Sequence, residues 1–159
     1  MIDVDVHTLR DRIGQEIAVS DWLEVSQARI DQFADATGDH QWIHVDAARA
    51  ATESPFKSTI AHGFLTLSLM SPLIRESIQF TGLRMAINYG LNRVRFVSPV
   101  PSGARIRARI TPGAVEQVGG GFQVTWHVTI ERERSEKPCC VAEWVVRYYP
   151  AISTPVSKP

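Results

Sequence analysis

The chain has no excess of either charge, almost no cysteine, and no apolar run long enough to cross a bilayer. Its 17 Lys and Arg are matched by 17 Asp and Glu. A nucleic-acid binder presents a strongly basic face, so the balance argues against that class of partner. A spanning helix needs about 20 consecutive apolar residues, and no such stretch exists, so no membrane contact is expected. MIDVDVHTLRDRIG at the start has no basic segment followed by an apolar one, and no secretory signal is expected. The two cysteines, Cys139 and Cys140, are adjacent. Neighbours in a strand point to opposite faces, so a bond between them would be strained. Reduced thiols in a cytoplasmic protein are the expectation. Internal repeats are also missing. The 159 residues suit one domain with a real core and no staples. That domain is expected over residues 1–150, with a flexible Pro- and Ser-rich tail over 151–159.

What is present is a change of period halfway along. Residues 17–25 read as extended. Ser26 suits a helix N-cap, with Val25 and Ile30 placed as a staple. Ile30, Phe33, Ala34 and Thr37 then share one helical face, and Gly38 is placed to end the helix in a left-handed conformation. Asp46 is expected to cap a second short helix through AARAA. The run HGFLTLSLMSPLIRESIQF is apolar around nearly its whole circumference, which predicts a buried helix. Pro72 removes one backbone donor from it and is expected to leave the Ser68 carbonyl without its usual partner. Beyond it, ARIRARI and FQVTWHVTI alternate without a fault, MAINYGLNRVRF and VAEWVVRYY read as further strands, and Gly119 to Gly121 supply a turn. Gly90 reads as a bulge. One buried helix with several long antiparallel strands predicts an α+β layout, a sheet curled around the helix.

The chemistry concentrates in TGDHQWIH, residues 37–44, which holds a carboxylate, two imidazoles and an indole. Asp39 and His44 can hold one water between them and pass its proton, because imidazole titrates near neutrality. In the bland alternative Asp39 and Asp46 only cap helices and His44 only packs. Asp39, His40, His44, Asp46 and His62 also form a list of possible metal ligands. A zinc pair at i, i+4 relies on a helix to bring both histidines to one face, and Gly38 has just ended one. With no HExxH or CxxC in the chain, no metal is expected. His40 is expected to face solvent or bond within its loop. In AHGF, residues 61–64, a helix start offers N–H groups to a developing oxyanion. Arg93, Arg95, Arg105, Arg107 and Arg109 suit phosphate, though a regular arginine stripe is more often a solvated face. Trp42 and Phe56 are candidates for the walls of an acyl pocket.

FADATGDHQWIHVDAARA followed by IAHGFLTLSL resembles the MaoC-like hydratase family, the (R)-specific enoyl-CoA hydratases, and within it the short nodulation protein N-like members. Gln41-Trp42 stands where that family commonly has Asn-Pro. The Gly-Asp, the spacing and the final His are intact. The resemblance implies a hot-dog fold, normally a homodimer, that reversibly adds water to a trans-2-enoyl-CoA to give the (R)-3-hydroxyacyl-CoA. It implies Asp39 and His44 as the water-holding pair, the Gly63 N–H as oxyanion donor, and Ser68 as support for the pair. Asn88, Tyr89 and Gly90 would line the acyl or pantetheine path. His62 joins the substrate-binding set, with a structural hydrogen bond as its other role. No metal or redox cofactor is expected; coenzyme A enters as part of the acyl-CoA substrate. Which of Asp39 and His44 protonates C2 is open. The alternatives are a 3-hydroxyacyl-carrier-protein dehydratase, thioester hydrolysis, and a non-catalytic acyl-CoA binder on the same fold.

Overall fold

The computed structural model describes residues 1–151, so the expected tail lies almost wholly outside the described residues. Four long antiparallel strands dominate: β5 (Leu83–Phe96), β6 (Ala104–Val118), β7 (Gly121–Arg132) and β8 (Cys140–Pro150). With the short β2 (Ala18–Val19) they form a sheet in the order β2-β6-β7-β8-β5, and β3 (Leu23–Val25) also pairs with β6. The extended reading of residues 17–25 therefore splits into two short strands on one partner. Gly120 sits at φ +77° between β6 and β7, the left-handed backbone a tight turn asks of glycine. The inward residues follow the alternation: Ile106, Ala108, Ile110, Val124, Trp126, Val128 and Ile130 are buried. The register shifts between Asn88 and Gly90, placing a bulge at Gly90.

The concave face of the sheet holds α4 (Gly63–Ser68) and α5 (Met70–Ser77), which follow one another directly in the hot-dog arrangement. Met70, Leu73 and Ile74 are buried among the inward strand residues. Two features depart from the all-round apolar pattern. Phe64 is 69% exposed, because the outer side of α4 is left uncovered among the described residues, and its ring stands edge-on to Phe96 at 6.2 Å. The helix also stops at Ser77. Ile78 to Phe80, read as helix from the sequence, fall in β4 (Ile78–Thr81), which pairs in parallel with β1 (Ile2–Asp5), Ile2 opposite Ile78. That pairing satisfies backbone groups the helix would otherwise use, and β1 sits 76 residues away in the chain. Pro72 lies in the first turn of α5, where a missing N–H disrupts least.

Before the central helices come α1 (Gln27–Thr37), α2 (Trp42–Val45) and α3 (Ala47–Glu53). Ser26 Oγ accepts from Arg29 N at 3.3 Å, and Gly38 at φ +76° closes α1, its N–H donating to Ala34 O. Asp46 accepts from Arg49 N at 2.9 Å and so caps α3. TGDHQWIH is thus less of a loop than it reads: its last three residues, Trp42 to His44, belong to the single helical turn of α2.

Candidate active site

The site begins where Gly38 stops α1. The next residue, Asp39, is exposed, and its Oδ1 accepts from Gln41 N at a long 3.4 Å. The turn of α2 then carries His44 inward to 7% exposure. Its Nδ1–H donates to the Ile60 carbonyl at 2.7 Å. A carbonyl only accepts, so that bond fixes the tautomer and leaves Nε2 as a lone pair. The Gln27 amide holds the backbone of this turn, donating to His44 O at 2.8 Å, and accepts in turn from Thr59 Oγ1. Burial lowers the His44 pKa from the ordinary imidazole value, and this outweighs the opposing effects of the Ile60 carbonyl and the Asp39 carboxylate. The ring is held neutral and ready to accept.

His62, buried at 3%, stacks on His44 with centroids 3.8 Å apart and planes at 27°. One ligand-type atom each from Asp39, His44 and His62 lies within 4.8 Å of the other two. A carboxylate oxygen and a ring nitrogen at such a spacing can share a water, each bond about 2.8 Å. The same three groups also have the spacing of a metal-ligand set. His40 bonds Asp35 at 2.9 Å on the open surface, which raises its pKa, and takes no part.

A cavity of about 280 Å³ opens beside His44, walled among others by Gly63, Thr66, Phe96 and Cys139. Gly63 is the first residue of α4, so its N–H begins the helix at the cavity wall. Its missing side chain answers a packing need. A Cβ there would meet the Phe96 ring at 2.9 to 3.1 Å, so the space is filled by an aromatic ring.

The remaining candidates scatter. Ser68 is exposed, and its Oγ donates back to Phe64 O at 2.8 Å; it does not support the pair, and Thr66 stands at the cavity instead. Trp42 is half-buried beneath the Arg49 guanidinium, 4.4 Å from the ring, and Phe56 is 43% exposed; neither walls the cavity. Asn88 accepts from Trp144 Nε1 at 2.8 Å and borders a separate cavity of about 450 Å³ between α5 and the sheet. Tyr89 faces outward under Arg147, and Gly90 marks the bulge. Arg105, Arg107 and Arg109 pair with Glu133, Glu131 and Glu16, a solvated face as the stripe suggested. Cys139 and Cys140 are free and buried; burial pushes their thiols to about 12 and about 11, far from reactive thiolates. Gln27, Thr59, Ile60, Thr66 and Phe96 escaped the sequence reading. Only Gln27 carries a local signal there, as a polar residue in the first turn of α1.

Residues 8–133 match the family model of the MaoC like domain. The chain is 52% identical over 136 residues to 3-hydroxyacyl-thioester dehydratase Z of Mycobacterium tuberculosis, covering 85% of this chain and 89% of that one. It is 47% identical over 153 residues to nodulation protein N of Rhizobium leguminosarum bv. viciae, covering 91% of each. Among solved structures, an (R)-hydratase from A. caviae involved in PHA biosynthesis superposes with a TM-score of 0.63 at 25% identity, over 86% of this chain and all of the other.

Proposed function

The chain belongs to the MaoC-like dehydratase family, a family of hydro-lyases, and on that premise we propose that it is an (R)-specific enoyl-CoA hydratase. A water held between the Asp39 carboxylate and His44 Nε2 attacks C3 of a trans-2-enoyl thioester. The new C3–O bond takes the water's oxygen, and the water's proton passes to the pair. The C2–C3 π electrons move onto the thioester as an enolate, which the Gly63 N–H stabilises. A proton returned from the pair to C2 completes the net addition of one H₂O. The sum of these steps needs no metal or redox cofactor, and coenzyme A serves as the handle of the substrate.

The observation that carries the reading is the convergence of the Asp39 carboxylate and the His44 ring within 4.8 Å, beside a cavity that reaches Gly63. Asp39→Asn tests it with crotonyl-CoA, whose loss of conjugation on hydration is followed by absorbance. Removing one member of a proton-transfer pair costs about 10²- to 10⁴-fold. A folded variant turning over near the wild-type rate rules the mechanism out. The name of the M. tuberculosis relative, a 3-hydroxyacyl-thioester dehydratase, favours a second reading, in which the same residues run the reaction in reverse on a 3-hydroxyacyl thioester. Coenzyme A and carrier-protein thioesters assayed side by side separate the two.

The working unit we infer is a homodimer joined through β5. No helix among the described residues is long and apolar enough to cross a membrane, and two buried free thiols suit a reducing compartment, so we assign the activity to the cytoplasm.

A further inference from the structure

We propose that His62 is a positioning residue whose ring, in a fixed tautomer, pins the Asp39 backbone and the His44 ring in one arrangement. The inference rests on the hydratase reading for its catalytic consequence, and on geometry alone for the pin itself.

The Asp39 segment has few anchors. Asp39 N donates to Thr37 Oγ1 at 3.5 Å, and the carboxylate accepts from Gln41 N at 3.4 Å. Both are long, and both lie within two residues of Asp39. The short bond comes from far along the chain: His62 Nε2–H donates to the Asp39 carbonyl at 2.9 Å. That bond crosses from the residue before α4 to the residue after the Gly38 cap of α1. His62 is held at its own end, since its carbonyl accepts from Thr66 N at 3.1 Å within the first turn of α4. Its neighbour in the chain is Gly63. One side chain therefore links the segment of the carboxylate, the ring of the acceptor and the start of the helix carrying the oxyanion donor.

The tautomer of His62 follows from its contacts. A carbonyl only accepts, so the bond to Asp39 requires the ring proton on Nε2. The other ring nitrogen, Nδ1, is buried and has no hydrogen-bond partner among the described residues. His44 lies 3.8 Å away, and Phe33 of α1 meets the ring at 5.0 Å. His62 holds the geometry through this bond and this stack. Of the two roles expected of it, this is the structural hydrogen bond rather than substrate binding, for which a side chain 3% exposed offers little surface.

Two substitutions separate the bond from the stack. His62→Gln carries an amide N–H where Nε2 stood and loses the ring. His62→Phe keeps an aromatic ring between His44 and Phe33 and loses the donor. With crotonyl-CoA, His62→Phe is expected to lose about 10- to 100-fold in kcat, the usual effect of removing a supporting hydrogen bond behind a working group, with KM little changed. His62→Gln is expected to retain clearly more of kcat. A wild-type kcat in His62→Phe overturns the proposal. So does a loss falling on KM, which marks a substrate contact, or a pair of equal losses that track the drop in Tm, which marks packing. The tautomer is read without turnover by ¹⁵N NMR of the histidine rings in the wild-type protein. A proton on Nε2 is expected in the spectrum at pH 8. A bare Nε2 with the proton on Nδ1 overturns the pin even where hydration is normal. A wild-type chain with the expected tautomer that hydrates no enoyl thioester overturns the hydratase reading and leaves the pin standing.

Discussion

His44 is held from both sides of its own peptide, by the Ile60 carbonyl at Nδ1 and by the Gln27 amide at its carbonyl oxygen. This sets the tautomer and burial sets the charge, so the pH response of the enzyme should follow from this one ring. Its pKa lies below the ordinary imidazole value of 6.5. The neutral form accepts the proton of water, so the acid limb of kcat/KM for hydration is expected below pH 6.5, measured with crotonyl-CoA across pH 5 to 8. The sign for stability is the same: a depressed histidine pKa means the unfolded chain binds more protons, so stability is full above 6.5 and declines as pH falls through the folded value. An acid limb above 6.5 contradicts this. The Asp-x4-His spacing was legible in the sequence because both residues lie in one short segment. The partners of His44 were not, since Ile60 acts through its backbone and His62 through a stack, and neither leaves a mark in the pattern. Ser68 shows the reverse error. Its type was right for a supporting hydroxyl, but at five residues from Gly63 it lies about 140° around the helix, whereas Thr66 lies about 60° away. Angle decides between two hydroxyls that composition treats alike.

The elements were read most securely where a backbone demand selects one residue type. Ser26, Gly38 and Asp46 all fall at helix ends as expected, and each has its capping contact. Gly38 matters most, because the chain must turn there to deliver Asp39. At φ +76° any side chain is strained, although no atom stands within 4 Å of a Cβ. Gly38→Ala is therefore expected to destabilise by about 1 kcal/mol from the left-handed conformation alone, read as a lower urea midpoint with unchanged m-value. A loss of several kcal/mol would mean that a packing clash exists after all, and no loss would mean that α1 ends elsewhere. The central helix was read less well, because its periodicity reports burial but not what covers each face. Ile78 to Phe80 looks helical by continuity and becomes a strand only because β1 lies alongside it. Local pattern cannot carry a pairing set by residues so far apart. Phe64 was expected to be buried and is open for the same reason: apolarity shows that a face wants cover, not that its own chain supplies it.

At the scale of the molecule, that unmet demand collects along one edge. Among the described residues β5 pairs with β8 alone, leaving a long rim of backbone donors and acceptors. Fourteen residues at about 3.3 Å each make an edge about 46 Å long. Met85, Ile87, Tyr89 and Leu91 alternate along it, each 40% exposed or more, and Phe64, Phe96 and Val97 extend the apolar surface toward the active site. Natural edge strands are usually blunted by lysine, proline or short length; LRMAINYGLNRVRF has no lysine, no proline and no acidic residue. The arginines Arg84, Arg93 and Arg95 are its only charges, spaced toward its ends. Such an edge fits a second copy of itself in antiparallel pairing about a two-fold axis, an isologous contact, where a stable interface typically buries about 1,600 Å² in total. Phe96 ends β5 and also walls the His44 cavity, so pairing along β5 would fix one wall of the site. Ile87→Lys places a charge at the middle of the edge and is expected to convert a dimer to a monomer in size-exclusion chromatography with light scattering, with the circular dichroism spectrum retained. A wild-type monomer, or a variant still dimeric at the same concentration, would place any self-association on another face. If the monomeric variant also hydrates crotonyl-CoA more slowly, the apolar edge and the proton-transfer pair belong to one machine, joined through the ring that rests on Gly63.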